Sequence, residues 1–194
     1  NEAKVSSLSA KKAVVVAHPL VFQDRIVNEF IDGPNLSESR LSCFFDLNLS
    51  KKSLWLTNRL VFLGEIERLN DFEGEQNIGQ IYHNKKNDYV ADDSALVYKS
   101  DNGLVIITGC SHSGICNIIE YAKKVCNEDR ILDVIGGFHL MNPSKKQLNG
   151  TLNYLKHLKV KNLHPCHCVD FNSKIALSKV ANIEEVGVGL VLAY

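Results

Sequence analysis

The sequence predicts an α/β protein whose chemistry collects at one edge of a sheet. Three stretches predict it: Gly109-Cys110-Ser111-His112, Gly136-Gly137-Phe138-His139-Leu140 and His164-Pro165-Cys166-His167-Cys168. Each follows a strand-like run and presents a histidine. The runs are Leu104 to Ile107, Ile131 to Ile135 and a shorter one around Val160 to Leu163. A helical pattern follows each stretch. In α/β folds ligands bind in the crevice at the carboxyl ends of strands. Imidazoles and thiols delivered there from three strands can converge on a metal ion.

The chain has 194 residues, a length that suits one domain spanning 1–194 with a sizeable core. Lys plus Arg equal Asp plus Glu at 22 each, so no basic excess points to nucleic acid. No apolar run reaches the roughly 18 residues of a membrane span. Asn1 to Ala10 is polar and lacks the apolar core of a signal peptide. The six cysteines cluster partly in the His-bearing stretches. They read as reduced thiols of a cytoplasmic protein rather than as disulfide staples.

Ala13 to Ala17 is a short strand ended by His18-Pro19, because proline cannot extend a central strand. Val21 to Ile31 predicts a short helix stopped by Asp32-Gly33-Pro34. Asn35 to Ser53 has no clear period, and Leu54 to Leu63 reads weakly as strand. Asn70 to Asp93 is polar and reads as a long functional excursion. Ala95 to Tyr98 and Leu104 to Thr108 flank Ser100-Asp101-Asn102-Gly103, which predicts a hairpin. Ile115, Ile118, Ile119, Ala122 and Val125 keep helical spacing, with Ser113 as a candidate cap. Ile131 to Ile135 is a buried strand. Ser144 with Gln147 resembles a capping box for a helix carrying Leu148, Leu152, Leu155 and Leu158. Asp170 caps a helix through Ile175, Ala176, Leu177 and Val180. Val186, Val188, Leu190 and Leu192 alternate as a final strand.

His112 stands just before a helix N-terminus, where free amides and the helix dipole favour a phosphate or carboxylate. The plain alternative is a histidine packed at a turn. Cys110 is either a ligand or a small buried hydrophobe. Gly136-Gly137 suits a backbone that bends sharply or approaches a ligand closely. In the densest cluster His167 and Cys168 are the choices for the site, with His164 at the strand end. The spacing there fits neither a zinc finger nor a C-x-x-C redox pair. His83 and His157 read as surface residues.

These stretches, with Ala17-His18-Pro19, Leu63-Gly64-Glu65-Ile66-Glu67-Arg68 and Asp71-Phe72-Glu73 upstream, resemble the metallo-β-lactamase superfamily. The closer match is the branch of metal-dependent hydrolases related to dihydropterin ribofuranosylaminobenzene phosphate synthase. The resemblance covers nearly the whole chain. It implies an αββα sandwich with a one- or two-metal site at its edge, and metal-bound hydroxide as nucleophile. The ion is a divalent metal, zinc first, with iron or manganese as alternatives. By position, His112 and His167 resemble ligands, His139 a further site histidine, and Cys110 an additional donor. Glu65, Arg68, Ser111 and Gly137 are the candidate substrate-binding residues. Glu65, Arg68 and the stretch after Asn70 would border the substrate entrance.

The family's H-x-H-x-D-H signature is absent from the sequence, and the proline of the Glu-Ile-Pro-Arg pattern is replaced by Glu67. The expectation is therefore an N-terminally incomplete family member acting on an ester or phosphoester. It would hold metal incompletely and form a homodimer or pair with an N-terminal fragment. Its partner is a small-molecule substrate, not nucleic acid or membrane. Two rivals remain: a non-catalytic remnant binding a ligand or partner at the same edge, and an unrelated α/β protein with structural zinc or redox thiols at Cys166 and Cys168.

Overall fold

The computed structural model describes residues 11–194, so the polar stretch Asn1 to Ala10 lies outside the described residues. The described residues form three sheets and four α-helices. Strand β1 (Val14–Ala17) pairs in parallel with β4 (Asp46–Leu49), which follows the short helix α1 (Glu38–Ser42). A second sheet runs in the order β3-β2-β7-β8, from β2 (Arg25–Val27), β3 (Phe30–Asp32), β7 (Gly79–Ile81) and β8 (Asn87–Asp88).

The main sheet has seven strands in the order β13-β12-β11-β10-β9-β6-β5. They are β5 (Leu54–Trp55), β6 (Leu60–Phe62), β9 (Ala95–Ser100), β10 (Gly103–Thr108), β11 (Ile131–Gly137), β12 (Asn162–Cys166) and β13 (Asn182–Ile183). β9 and β10 form the hairpin expected at Asn102-Gly103, with Gly103 opposite Ser100. From β10 onward the ladder is parallel, and α2 (Ile115–Cys126), α3 (Lys145–Leu158) and α4 (Phe171–Leu177) make the crossovers. Parallel strands joined by helices must all end at the same edge. That topology puts the Cys110, His139 and His167 loops side by side.

One face of this sheet carries Val61, Val97, Leu104, Ile106, Val134 and Leu163, all fully buried. Against it pack Ile115, Ile118, Ile119 and Ala122 of α2, Leu155 of α3 and Leu177 of α4. Apart from Ala122, the eleven branched aliphatic side chains leaving water here supply the main drive to fold, at roughly 1.5–3 kcal/mol each. The other face is partly open, with Ile107 43% exposed. Val16 of β1 lines a shallow cavity there with Phe62, Leu96 and Ile107.

Three expectations change. Val21 to Ile31 is not a helix. A 3-10 turn over Pro19–Phe22 gives way to the β2–β3 hairpin, whose turn residues Asn28 and Glu29 are both left-handed. Two consecutive left-handed residues match the twist of a two-residue hairpin turn, and asparagine tolerates that conformation. Val186 to Leu192 makes no ladder; the last strand is the two-residue β13. Gly187 and Gly189 weaken any strand there, and Val188 stands fully in solvent. Asn70 to Asp93 is not a structureless excursion, since it contains β7 and β8. It has polar anchors in place of apolar ones: Arg25 binds Asp88 at 2.5 Å and also binds Asp92.

Two helix caps stand as read. Ser144 Oγ accepts the Gln147 amide at 3.1 Å, and Asp170 Oδ1 accepts the Ser173 amide at 2.7 Å. Ser113 is not a cap. Its amide and hydroxyl both go to Asp93 Oδ2, at 2.9 Å and 2.5 Å, and Gly114 starts α2 without a side-chain cap. No helix is long and apolar enough to cross a membrane among the described residues.

Candidate metal centre

The parallel register fixes where the site residues emerge. Gly137 lies opposite Cys166, and beyond the strands Leu140 bridges to Val169. Between those two points each chain turns through a left-handed residue, His139 (φ 52°) on one side and His167 (φ 53°) on the other. Ser111 (φ 60°) does the same at the end of β10. Non-glycine residues in this region cost of order 1–2 kcal/mol each, and such strain gathers at functional sites.

Hydrogen bonds hold the three turns together. Gly137 N–H donates to Gly109 O at 2.8 Å. Ser111 Oγ donates to Gly137 O at 2.6 Å. The Thr108 hydroxyl, 2.9 Å away, is then left to donate to Ser111 Oγ. A Cβ on Gly137 would sit 2.5 Å from Gly109 O and 2.8 Å from Cys168 Sγ. Glycine is therefore required for this close approach, as its place before His139 suggested. Ser111 and Gly137 brace the edge through each other.

Two groups of donors result. The rings of His112 and His139 face each other with centroids 4.5 Å apart. Burial lowers the pKa of both imidazoles, helped at His139 by the neighbouring His112 and opposed by Asp93. The shift favours the neutral form of both rings, which has a lone pair to offer. His112 Nδ1 is buried and has no hydrogen-bond partner. In the second group, one donor atom each from Cys110, His167 and Cys168 lies within 4.8 Å of the others. Burial, with Cys168 beside it, pushes the Cys110 thiol up to about 11. The groups touch where the His139 amide donates to Cys168 Sγ at 3.3 Å.

A buried, unpartnered imidazole nitrogen and a Cys/His/Cys donor set at one edge fit a divalent metal chemically. The imidazole pair also lines a cavity of about 110 Å³, with Asp71, Glu73, Gln76, Lys146 and Gln147 around it. That volume is well below the ~300 Å³ of an ordinary small-molecule pocket.

Glu65 and Arg68 lie with other partners. Glu65 Oε2 is 3.2 Å from His18 Nε2 and 3.6 Å from Lys51 Nζ. His18 Nδ1 accepts the Leu20 amide at 3.1 Å, so its proton sits on Nε2, toward Glu65. Arg68 bonds the carbonyls of Gly74 (2.6 Å), Val90 (3.3 Å) and Tyr89, tying down both ends of the 74–90 segment. The anion expected at the start of α2 is the chain's own. Glu73 is buried and accepts the Asn117 amide at 2.7 Å. Burial raises its pKa, against the hydrogen bonds that lower it.

Sequence reasoning missed Asp93 and this role of Glu73. Both act across more than 19 residues of chain on the start of α2, and no local pattern marks such a contact. The six cysteines are all unpaired among the described residues.

No family profile matches the chain. It is 32% identical over 180 residues to the uncharacterized protein MJ0448 of Methanocaldococcus jannaschii, covering 92% of this chain and 67% of that one. It is 30% identical over 177 residues to the same organism's 7,8-dihydropterin-6-methyl-4-(beta-D-ribofuranosyl)-aminobenzene-5'-phosphate synthase, covering 84% of this chain and 60% of the synthase. The chain thus spans about two thirds of the length of these curated relatives. Its fold superposes with a TM-score of 0.81 on the crystal structure of Tm1679, described as a metal-dependent hydrolase of the beta-lactamase superfamily. That match has 24% identity and covers 95% of this chain and 72% of the other. The chain has the metallo-β-lactamase fold, and over most of its length its sequence is related to MJ0448 and to the dihydropterin ribofuranosylaminobenzene phosphate synthase.

Proposed function

We propose that the protein is a metal-dependent hydrolase acting on a small ester or phosphoester at the edge formed by β10, β11 and β12. The observation that carries this reading is the delivery of His112, His139, His167 and Cys110 to one edge by three parallel strands, beside a cavity. These four residues are the candidate holders of the ion. When bound, a divalent metal there supplies Lewis acidity and a water whose pKa falls toward 7.

The chain's own residues do the rest. Where His139 contacts the substrate in place of the ion, its imidazole lines the cavity and can exchange a proton with a group bound there. Lys146 and Gln147 at the start of α3 border the same cavity and can orient an anionic or carbonyl oxygen. Gln147 is held for this by its bond to His139 O at 3.0 Å. Ser111 and Gly137 keep the two histidine loops in register. A reducing cytoplasm keeps Cys110 and Cys168 as thiols and fits this reading.

The test is hydrolysis by the zinc-, iron- or manganese-loaded protein of a panel of phosphomonoesters, phosphodiesters, carboxylic esters and lactones. The expected result is turnover of one class that is lost on chelation and in His112→Ala. The relative named as a synthase favours adding group-transfer acceptors to the panel. Metal-loaded protein that binds a panel member without turning it over would favour the non-catalytic reading. Turnover untouched by chelator and by His112→Ala would overturn both.

A further inference from the structure

Among the described residues, one cationic side chain lines the cavity beside His112 and His139: Lys146. It already holds an anion, one supplied by the chain. Lys146 Nζ donates to the backbone oxygen of Asp71 and lies 3.0 Å from Asp71 Oδ2. We propose that Lys146 selects a substrate carrying an anionic phosphate, and that Asp71 is an exchangeable internal anion which the substrate displaces. The proposal rests on the reading of this cavity as the substrate site and narrows it. It favours phosphoesters over neutral carboxylic esters and lactones.

The wall around this ion pair is fixed. Segment 71–76 lines the cavity together with the first turn of α3. Phe72 packs on Gly150 of α3 so closely that a Cβ there would run into its ring. Glu73 accepts the Asn117 amide at 2.7 Å and the Asn70 side chain at 3.0 Å, and Gly74 O accepts Arg68 at 2.6 Å. The backbone is held, and the parts free to rearrange are the side chains of Lys146 and Asp71, 61% and 81% exposed. An ion pair this exposed shifts an equilibrium by at most about fivefold. An incoming anion therefore competes with Asp71 at little cost.

The local field favours the exchange. Lys146 is the second residue of the 14-residue helix α3, so the positive end of the helix dipole adds to its charge. The bond from Lys146 already holds the Asp71 carboxyl below its usual range, the sign expected where an anion is stabilised. The other two carboxylates of the lining do not take the lysine. Glu73 is turned to the start of α2, and Glu75 is exposed to solvent. A phosphate has oxygens enough to meet the ammonium and a second group in the cavity at once. A neutral ester has no charge to exchange for Asp71 and leaves the pair closed.

The metal-free full chain is titrated with inorganic phosphate and followed by two-dimensional NMR, so that no bound ion contributes to the affinity. The expected result is a saturable shift of the Lys146 and Gln147 amides. Lys146→Met should weaken binding by about tenfold or more, and Lys146→Arg should recover part of it. Asp71→Asn should strengthen binding, by up to about fivefold. Glu75→Gln removes the same charge from the same wall and should do less. In the Lys146→Met chain Asp71→Asn should add nothing, because the two residues act through one ion pair. Unshifted amides in the wild-type chain would overturn the proposal. So would an Asp71→Asn gain that is no larger than that of Glu75→Gln, or that persists without Lys146. Kinetics of the zinc-loaded protein separate this proposal from the hydrolase reading. Lys146→Met should raise KM for a phosphoester and leave KM for a lactone alone. Turnover with both KM values unchanged keeps the hydrolase and overturns the role of Lys146. Coupled phosphate binding without turnover of any ester keeps the anion site, and the hydrolase reading falls.

Discussion

His164 and His167 sit three residues apart at the end of one strand, and their surroundings are opposite. His164 is 1% exposed, with Nδ1 2.8 Å from Asp133 Oδ1 and Nε2 facing Glu184 Oε2 at 3.4 Å. Asp133 is buried as well, and its second oxygen accepts the Tyr194 hydroxyl at 2.6 Å. His167 is exposed, left-handed, and grouped with two thiols. The first imidazole is bound through Nδ1 to a buried carboxylate, and its Nε2, which makes no hydrogen bond, is aimed at Glu184. The second keeps its lone pair uncommitted at the cost of backbone strain. A buried group tied to a buried carboxylate inside the ladder is frame; an exposed one held in a strained backbone is available for chemistry. Identity and spacing alone do not separate the two. Being inside the ladder, opposite Ile135, or just past its end does.

The largest expected effect breaks this contrast directly. His164→Ala leaves Asp133 buried with only Tyr194, and removing one partner of a buried pair costs about 3–5 kcal/mol. His167→Asn keeps a residue that tolerates the left-handed turn and should move stability by less than about 0.5 kcal/mol. The metal readouts should respond in the reverse order, with binding lost in His167→Asn. Urea midpoints and zinc affinities for both variants, measured side by side, check this. Equal loss of stability in the two would show that both histidines are frame.

A smaller effect sharpens the contrast from the neighbouring strand. Gly137→Ala puts a methyl group 2.5 Å from a backbone oxygen and 2.8 Å from Cys168 Sγ. The oxygen belongs to a strand end and cannot move far, so overpacking should cost about 1–3 kcal/mol. Because the same methyl crowds Cys168 and the turn that carries His139, metal binding should weaken in parallel with stability. A Gly137→Ala chain that is destabilised yet binds zinc with unchanged affinity would detach the brace from the donor residues.

Much of this arrangement is legible in the sequence, and the reasons differ by region. From Ala95 to Leu177, apolar runs of strand length alternate with helical periods, and each boundary carries local chemistry: Asn102-Gly103, Ser144 and Asp170. Local rules suffice because parallel strands with crossover helices leave few topologies. Before Asp93 the elements are two to four residues long outside α1 and are fixed by distant ion pairs such as Arg25 with Asp88. A window of sequence does not contain the partner. The β2–β3 hairpin was hidden for a related reason. Val21, Phe22, Ile26, Val27, Phe30 and Ile31 are spaced like a helical face as well as like two short strands, and only the left-handed pair Asn28-Glu29 decides between them. At the site, the strand-end histidines and Cys168 were readable from position, whereas the pairing of His18 with Glu65 and the use of Glu73 to cap α2 depend on folding first.

The smallest effect probes the frame from its outer side. Tyr194 is 44% exposed, and its hydroxyl bond to Asp133 is all it adds to the buried histidine cluster. A hydrogen bond to a charged group is worth about 1.5–3 kcal/mol, and partial exposure reduces this to about 1 kcal/mol for Tyr194→Phe. The pH dependence gives the sharper reading. Burial and the bond to Asp133 push the Tyr194 hydroxyl well above its ordinary value. A folded-state pKa raised above the unfolded value near 10 means the folded chain holds this proton more tightly. The contribution is therefore fully present below about pH 10 and falls as pH rises beyond it. Comparing urea midpoints at about pH 8 and about pH 10.5 should show a steeper alkaline loss in the wild-type chain than in Tyr194→Phe. Identical slopes would mean that Asp133 is satisfied by His164 alone. The frame would then be a pair rather than a network, and His164→Ala should cost more, because no hydroxyl would remain to share the buried carboxylate.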